Sequence, residues 1–169
     1  MQAHILVVDD DPDILSALKK RLLWMGHEVS TAEDGEQALK RVTEDQPDLM
    51  LLDIELPGFS GLDLLKQLRD RRSIDYAQAM PGVIVLTAFG TIGRVVEAMQ
   101  LGACDFLTKP FEPEHLSIVI DKAMAQMAFT RQIGLLRAEV EGRYEHIVGQ
   151  SQPMVQSLET ARRTAAPCS

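Results

Sequence analysis

The chain has 169 residues, of which 46% are hydrophobic, and it carries a formal net charge of −8. This hydrophobic fraction can supply the core of one domain, whereas the negative charge argues against a protein that binds nucleic acid through a basic face. We expect no bilayer-spanning segment and no signal peptide, because no apolar run is long enough and the N-terminus lacks a basic region followed by an apolar one. Two distant cysteines and four scattered histidines lead us to expect a reduced, cytoplasmic protein without a histidine-based metal site.

Short apolar runs alternate with amphipathic segments along the first two thirds of the chain. Three of the runs are apolar at consecutive positions, which is typical of parallel strands covered on both faces. The alternation predicts an α/β domain with a doubly wound, five-stranded parallel sheet, (βα)5, in about 120 residues. The predicted strands are 5–8, 28–32, 49–52, 83–86 and 105–107, and the predicted helices are 12 to about 26, 35–45, 61–71, 92–101 and 113 onward.

The fifth predicted helix carries two apolar stripes, which lie roughly 140° apart around its axis. We expect the first stripe to pack on the sheet and the second to meet another helix, from a second copy of the chain, with a solvated linker as the alternative. We therefore divide the chain into a domain at 1–125, a helical linker and dimerisation segment at 126–142, and a further segment at 143–169 that is too short to bury its own core. The first stripe contains Leu116, Ile120, Ala123 and Met127, and the second contains Phe129, Ile133, Leu136 and Val140.

Acidic, hydroxyl and basic residues follow four of the predicted strands at the carboxyl ends, where ligands bind in doubly wound sheets. Residues 9–11 are all aspartate, and Asp53, Thr87 and Lys109 follow the third, fourth and fifth strands. Carboxylates from two strands form an oxygen site suited to Mg²⁺, and Asp53 is placed to act as a nucleophile that forms an aspartyl phosphate. Lys109 would neutralise the phosphoryl oxygens, and Thr87 would donate a hydrogen bond to one of them. Asp11 is expected to cap the first helix instead of binding the metal.

Four segments that contain these residues resemble the receiver domain of two-component response regulators. They are "VVDDD" at 7–11, "LLDIELPGFSG" at 51–61, "VLTAFG" at 85–90 and "DFLTKPF" at 105–111. The resemblance implies a flavodoxin-like, CheY-like fold and a phosphorylation switch that catalyses only its own phosphorylation and dephosphorylation. Its phosphoryl donor would be a sensor histidine kinase.

The same resemblance assigns a role to each residue of the site. Asp53 would be the phosphoacceptor and would bind Mg²⁺ directly together with Asp10. Asp9 would bind the metal through water, and the backbone carbonyl of Glu55 would complete the ligand set. The resemblance further implies a cis peptide bond between Lys109 and Pro110 and a switch formed by Thr87 and Phe106.

The stretch "YEHIVGQSQPMVQSLETARRTA" at 144–165 resembles the beginning of the AAA+ ATPase domain of sigma-54-dependent transcriptional activators of the NtrC/DctD kind. The resemblance implies an AAA+ domain in the full-length protein, and we expect the homodimer that pairs through the fifth helix and linker to control it. The chain contains neither a phosphate-loop motif nor a helix-turn-helix, so we expect no direct DNA binding. Two alternatives are an Mg²⁺-dependent phosphohydrolase with an aspartyl nucleophile and a receiver that acts only as a dimerisation module.

Overall fold

The computed structural model describes residues 2–74, 80–88 and 92–150, with side chains throughout these ranges except at 71–74, 131 and 133–150. Residues 151–169, which are most of the segment at 143–169, lie outside the described residues. The strands are β1 (His4–Val8), β2 (Glu28–Ala32), β3 (Leu49–Asp53), β4 (Gly82–Ala88) and β5 (Asp105–Lys109). The helices are α1 (Pro12–Trp24), α2 (Gly35–Asp45), α3 (Gly61–Ile74), α4 (Ile92–Gln100) and α5 (Pro113–Gln150).

All five strands are parallel and lie in the order β2-β1-β3-β4-β5. The chain therefore reverses its direction of winding after β2, which places helices on both faces of the sheet. This confirms the predicted doubly wound (βα)5 architecture.

The sheet separates two hydrophobic cores. In β1 and β3 the side chains alternate between faces, so Leu6 and Leu52 belong to the core beneath α2, α3 and α4. Their neighbours Val7 and Leu51 belong to the core beneath α1 and α5. Because both faces are covered, every residue of β3 is buried, and this explains the unbroken apolar run that the sequence shows.

Local signals set several helix boundaries. Asp11 caps α1, as predicted, because its Oδ1 accepts hydrogen bonds from the backbone nitrogens of Asp13 at 2.8 Å and Ile14 at 3.4 Å. In α5 the first stripe packs against the sheet as predicted, with Leu116 and Ile120 almost fully buried.

The fifth helix continues past Gly142, where the sequence suggests the end of the linker segment, and is described as far as Gln150. A single glycine costs a helix only about 1 kcal/mol, so it need not end one. The chain forms two units, Met1–Met127 and Ala128–Ser169. Phe129, which begins the second stripe, is 65% exposed, whereas the side chains of Ile133, Leu136 and Val140 lie outside those described. Among the described residues, no helix is both long and apolar enough to cross a membrane.

Candidate phosphoacceptor and metal site

The register of the sheet brings the predicted site residues to one edge. Asp53 is the last residue of β3 and pairs with Leu86, directly before Thr87 in β4. Lys109 ends β5, and Asp9 follows β1, where its backbone nitrogen donates to Ala32 at 3.2 Å. Parallel strands present their carboxyl ends on the same side, so residues distant in sequence converge there.

Lys109 joins the two buried acids of this edge. Its Nζ donates to Asp9 Oδ2 at 2.5 Å and to Asp53 Oδ2 at 2.6 Å. The side chains of Asp9 and Asp53 are only 1% and 8% exposed, and that of Lys109 is 19% exposed. The three residues therefore form one ion-paired cluster that is largely withdrawn from water. The peptide bond from Lys109 to Pro110 is cis, as the resemblance implied.

Burial and charge oppose each other in this cluster. Burial raises the pKa of Asp9 above its ordinary value, although the hydrogen bond from Lys109 acts in the other direction. Burial alone would lower the pKa of Lys109, but its hydrogen bonds to Asp53 and Asp9 outweigh that effect and raise it. The lysine is consequently held in its charged form.

A divalent cation fits the carboxylates at this edge. Asp9, Asp10 and Asp53 each offer an oxygen, and these oxygens lie within 4.8 Å of one another. Asp10 is exposed, so the group opens to solvent on one side. Hard carboxylate oxygens, with room for water, are the donor set that Mg²⁺ prefers. Lys109 neutralises only one of the three negative charges, and a divalent ion would balance the two that remain.

The loop after β3 fixes the second oxygen of Asp53. The backbone nitrogen of Glu55 donates to Asp53 Oδ1 at 2.8 Å, so the carboxylate is held from both ends. The role of the Glu55 carbonyl as a metal ligand stays a prediction.

Gly61 lies against the same loop, and sequence reasoning did not single it out. Its nitrogen donates to the Ile54 carbonyl at 3.1 Å. A Cβ at this position would collide with the Asp53 carbonyl oxygen and would come within 2.9 Å of Ile54 Cα. The only signal in the sequence is a glycine shortly after the aspartate, which does not reveal such close packing.

The two predicted switch residues lie in different surroundings. Thr87 is buried beside the site. Phe106 is 42% exposed and is not part of the acidic cluster. It lines an apolar groove of about 590 Å³ between α4 and β5, together with Val95 and Met99. Phe106 is therefore not a core residue in this conformation.

Comparison with known proteins agrees with this geometry. The model of the response regulator receiver domain matches residues 5–121. The chain is 39% identical over 117 residues to the alkaline phosphatase synthesis transcriptional regulatory protein PhoP of Bacillus subtilis, covering 69% of this chain and 46% of that protein. It is 36% identical over 165 residues to the transcriptional regulatory protein GlrR of Escherichia coli, covering 96% of this chain and 34% of GlrR.

Two further matches also extend beyond the receiver region. The C4-dicarboxylate transport transcriptional regulatory protein DctD of Pseudomonas aeruginosa is 32% identical over 168 residues, covering 98% of this chain and 35% of DctD. The crystal structure of NtrX from Brucella abortus in complex with ATP has a TM-score of 0.73 and 31% identity, covering 99% of this chain and 35% of NtrX. The chain thus spans less than half of the curated relatives described here.

The PhoP match is limited to 117 residues, whereas the GlrR and DctD matches include most of the tail. This supports the resemblance to the NtrC/DctD kind that the tail suggested. The family match covers more than half of the chain and includes every residue of the acidic cluster. The chain belongs to the response regulator receiver domain family.

Proposed function

We propose that the chain is a signalling switch in which Asp53 accepts a phosphoryl group from a sensor histidine kinase. Two hydrogen bonds to the Asp53 carboxylate support this proposal. Lys109 donates to Oδ2, and the Glu55 amide donates to Oδ1. A nucleophile restrained in this way meets the phosphoryl donor in a fixed orientation, which lowers the entropic part of the barrier.

The transfer needs no proton from Asp53. A carboxylate oxygen attacks phosphorus, a new P–O bond forms, and the bond from phosphorus to the donor breaks, with its electron pair leaving on the donor's imidazole or carboxylate. The Lys109 ammonium balances negative charge on the transferring oxygens, and the Thr87 hydroxyl donates to one of them. Bound by Asp9, Asp10 and Asp53, Mg²⁺ would supply charge neutralisation for the phosphoryl oxygens.

In the proposed switch, phosphorylation affects two other parts of the molecule. Phosphorylation would draw Thr87 toward the new oxygens, and Phe106 would turn inward from its exposed position over the α4–β5 groove. The second part is the linker, where Phe129, which is 65% exposed, begins the second apolar stripe of α5. We propose that this stripe pairs two copies of the chain and that its geometry controls an AAA+ domain in the full-length protein.

Acetyl phosphate and Mg²⁺ provide the test. Wild-type protein is expected to gain the mass of one phosphoryl group and to change its dimer population, as measured by intact-mass spectrometry and by light scattering. Asp53→Asn is expected to do neither. Asp70→Asn is the matched control, because Asp70 is an exposed carboxylate on α3. A phosphoryl group that persists in Asp53→Asn would refute the acceptor assignment.

Two other outcomes separate the remaining functions. Sustained hydrolysis of a phosphate ester would favour the phosphohydrolase, because the proposed switch takes its phosphoryl group from a phosphohistidine or an acyl phosphate instead. The dimer assignment has its own test in Phe129→Asp combined with Leu136→Asp. A double variant that stays dimeric would refute pairing through the stripe while leaving the phosphoacceptor intact.

A further inference from the structure

An ion pair connects α4 to the loop that holds the phosphoacceptor. In the first turn of α4, Arg94 Nη1 lies 3.8 Å from Glu55 Oε1. The backbone nitrogen of the same Glu55 donates to Asp53 Oδ1. Arg94, Glu55 and Asp53 therefore form a chain of contacts from a helix to the nucleophile. The two residues of the pair are distant in sequence and belong to different βα units.

Little of α4, the helix that carries Arg94, is buried. Of the nine residues of α4, all described, Ala98 alone is buried. Apolar side chains of α4 that line the α4–β5 groove remain exposed, with Ile92 at 77% and Val96 at 51%. A second ion pair joins α4 to α3, with Lys66 Nζ 3.1 Å from Glu97 Oε1. Because so little of α4 is buried, these two ion pairs add to the few apolar contacts that fix its position.

We propose that Arg94 is a positioning residue for the phosphoacceptor loop and acts through Glu55. This inference rests on the proposed function of Asp53. Arg94 neutralises the Glu55 carboxylate, which would otherwise add a further negative charge to the mouth of a site that already contains three. It also restrains the backbone whose amide orients Asp53. Since coupling between two sites is reciprocal, a change at Asp53 alters the hold on α4 through the same contact.

The expected effect is modest. Both side chains of the pair are nearly half exposed, at 46% and 45%. Pairs with this exposure contribute about 0.2–1 kcal/mol, which corresponds to a change of up to about fivefold in a rate or an equilibrium. The effect should shrink in high salt, because the screening length falls to about 3 Å at 1 M. A small contribution of this size suits a contact that has to break and re-form.

Arg94→Ala tests the proposal, with Lys66→Ala as its control. The control breaks an ion pair to the same helix with the same side-chain exposures, 46% and 45%, but without a connection to Asp53. Arg94→Ala is expected to slow phosphorylation by acetyl phosphate about two- to fivefold at low salt and much less at high salt. Arg94→Lys, which keeps the charge, should recover most of the rate. Equal effects of Arg94→Ala and Lys66→Ala would overturn the proposal.

Hydrogen exchange of the Glu55 amide gives a second readout that needs neither metal nor phosphoryl donor. Arg94→Ala is expected to speed this exchange, because the hydrogen bond to Asp53 loses the restraint on its donor, whereas Lys66→Ala leaves it unchanged. If wild-type Asp53 takes up no phosphoryl group, the proposed function fails, but the exchange measurement still tests whether Arg94 restrains the Glu55 amide. Unchanged exchange in Arg94→Ala would remove the link even if Asp53 is phosphorylated.

Discussion

Replacing Lys109 by methionine tests how the buried charges of the site are held. The substitution keeps an unbranched side chain but removes the ammonium that bonds to Asp9 at 2.5 Å and to Asp53 at 2.6 Å. The side chains of Asp9 and Asp53 are only 1% and 8% exposed. The variant would leave two carboxylates close together in a poorly hydrated place without a counter-charge, so the folded state should lose stability.

The size of the loss follows from the contacts. A hydrogen bond to a charged group contributes about 1.5–3 kcal/mol, so the two lost bonds amount to about 3–6 kcal/mol. The Lys109 side chain is 19% exposed, which allows water to reach the acids and favours the lower end of this range. We expect the free energy of unfolding to fall by about 3 kcal/mol, or the Tm by about 10 °C.

Urea unfolding at pH 7 with a chelator measures this loss, and Lys122→Met is its control. Lys122 also forms a short ion pair with its Nζ 2.7 Å from Asp105 Oδ2, but its side chain is 65% exposed. The control should lose less than about 1 kcal/mol. Equal losses in the two variants would refute the reasoning that burial makes the Lys109 cluster different. Mg²⁺ should restore more stability to Lys109→Met than to wild type, because a bound cation can replace the missing charge.

Two further changes probe the backbone and a buried histidine. Gly61→Ala is expected to lower the free energy of unfolding by about 1–3 kcal/mol and to slow phosphorylation, because its Cβ would displace the Asp53 backbone. In Gly93→Ala the Cβ meets nothing within 4 Å, so the free energy of unfolding should rise by up to about 1 kcal/mol. Equal unfolding midpoints in the two variants would contradict this. Burial lowers the pKa of His27, as does the positive amino terminus, and Asp121 opposes them. The unfolded chain therefore binds a proton at a higher pH, so stability should fall as the pH drops below about 6.5 toward the folded-state pKa. His27→Gln should show a smaller decline between about pH 7.5 and about pH 5.5, and parallel declines would exclude His27 as a source.

The sequence predicted the fold because each local signal agrees with the global arrangement. Uninterrupted apolar runs such as 49–52 indicate strands buried on both faces, and the cap at Asp11 marks where the first helix begins. The site followed from the same arrangement, because the carboxyl ends of parallel strands must share an edge. Asp9, Asp53 and Lys109 could therefore be grouped before any distance was known.

Other features of the molecule could not be predicted because they depend on side-chain packing between distant segments. Nothing in the pattern around Arg94 indicates that it meets Glu55, since exposed arginines on helices usually face solvent. The sequence does not indicate the exposed position of Phe106 either, because an aromatic residue in a strand normally belongs to the core. Whether α5 continues through Gly142 is equally hard to predict, because one glycine costs a helix only about 1 kcal/mol and does not by itself end it.

The charge balance of the site explains why a cation and a phosphoryl group can act together there. Asp9, Asp10 and Asp53 contribute three negative charges within a few ångströms, and Lys109 returns one positive charge. Two negative charges remain, and the pKa of Asp9 is raised by burial and, to a smaller extent, by the charge of Asp53. A divalent ion would cancel this excess and remove the repulsion that an anionic donor meets on approach. With that excess cancelled, the Lys109 ammonium would be available to the incoming phosphoryl oxygens.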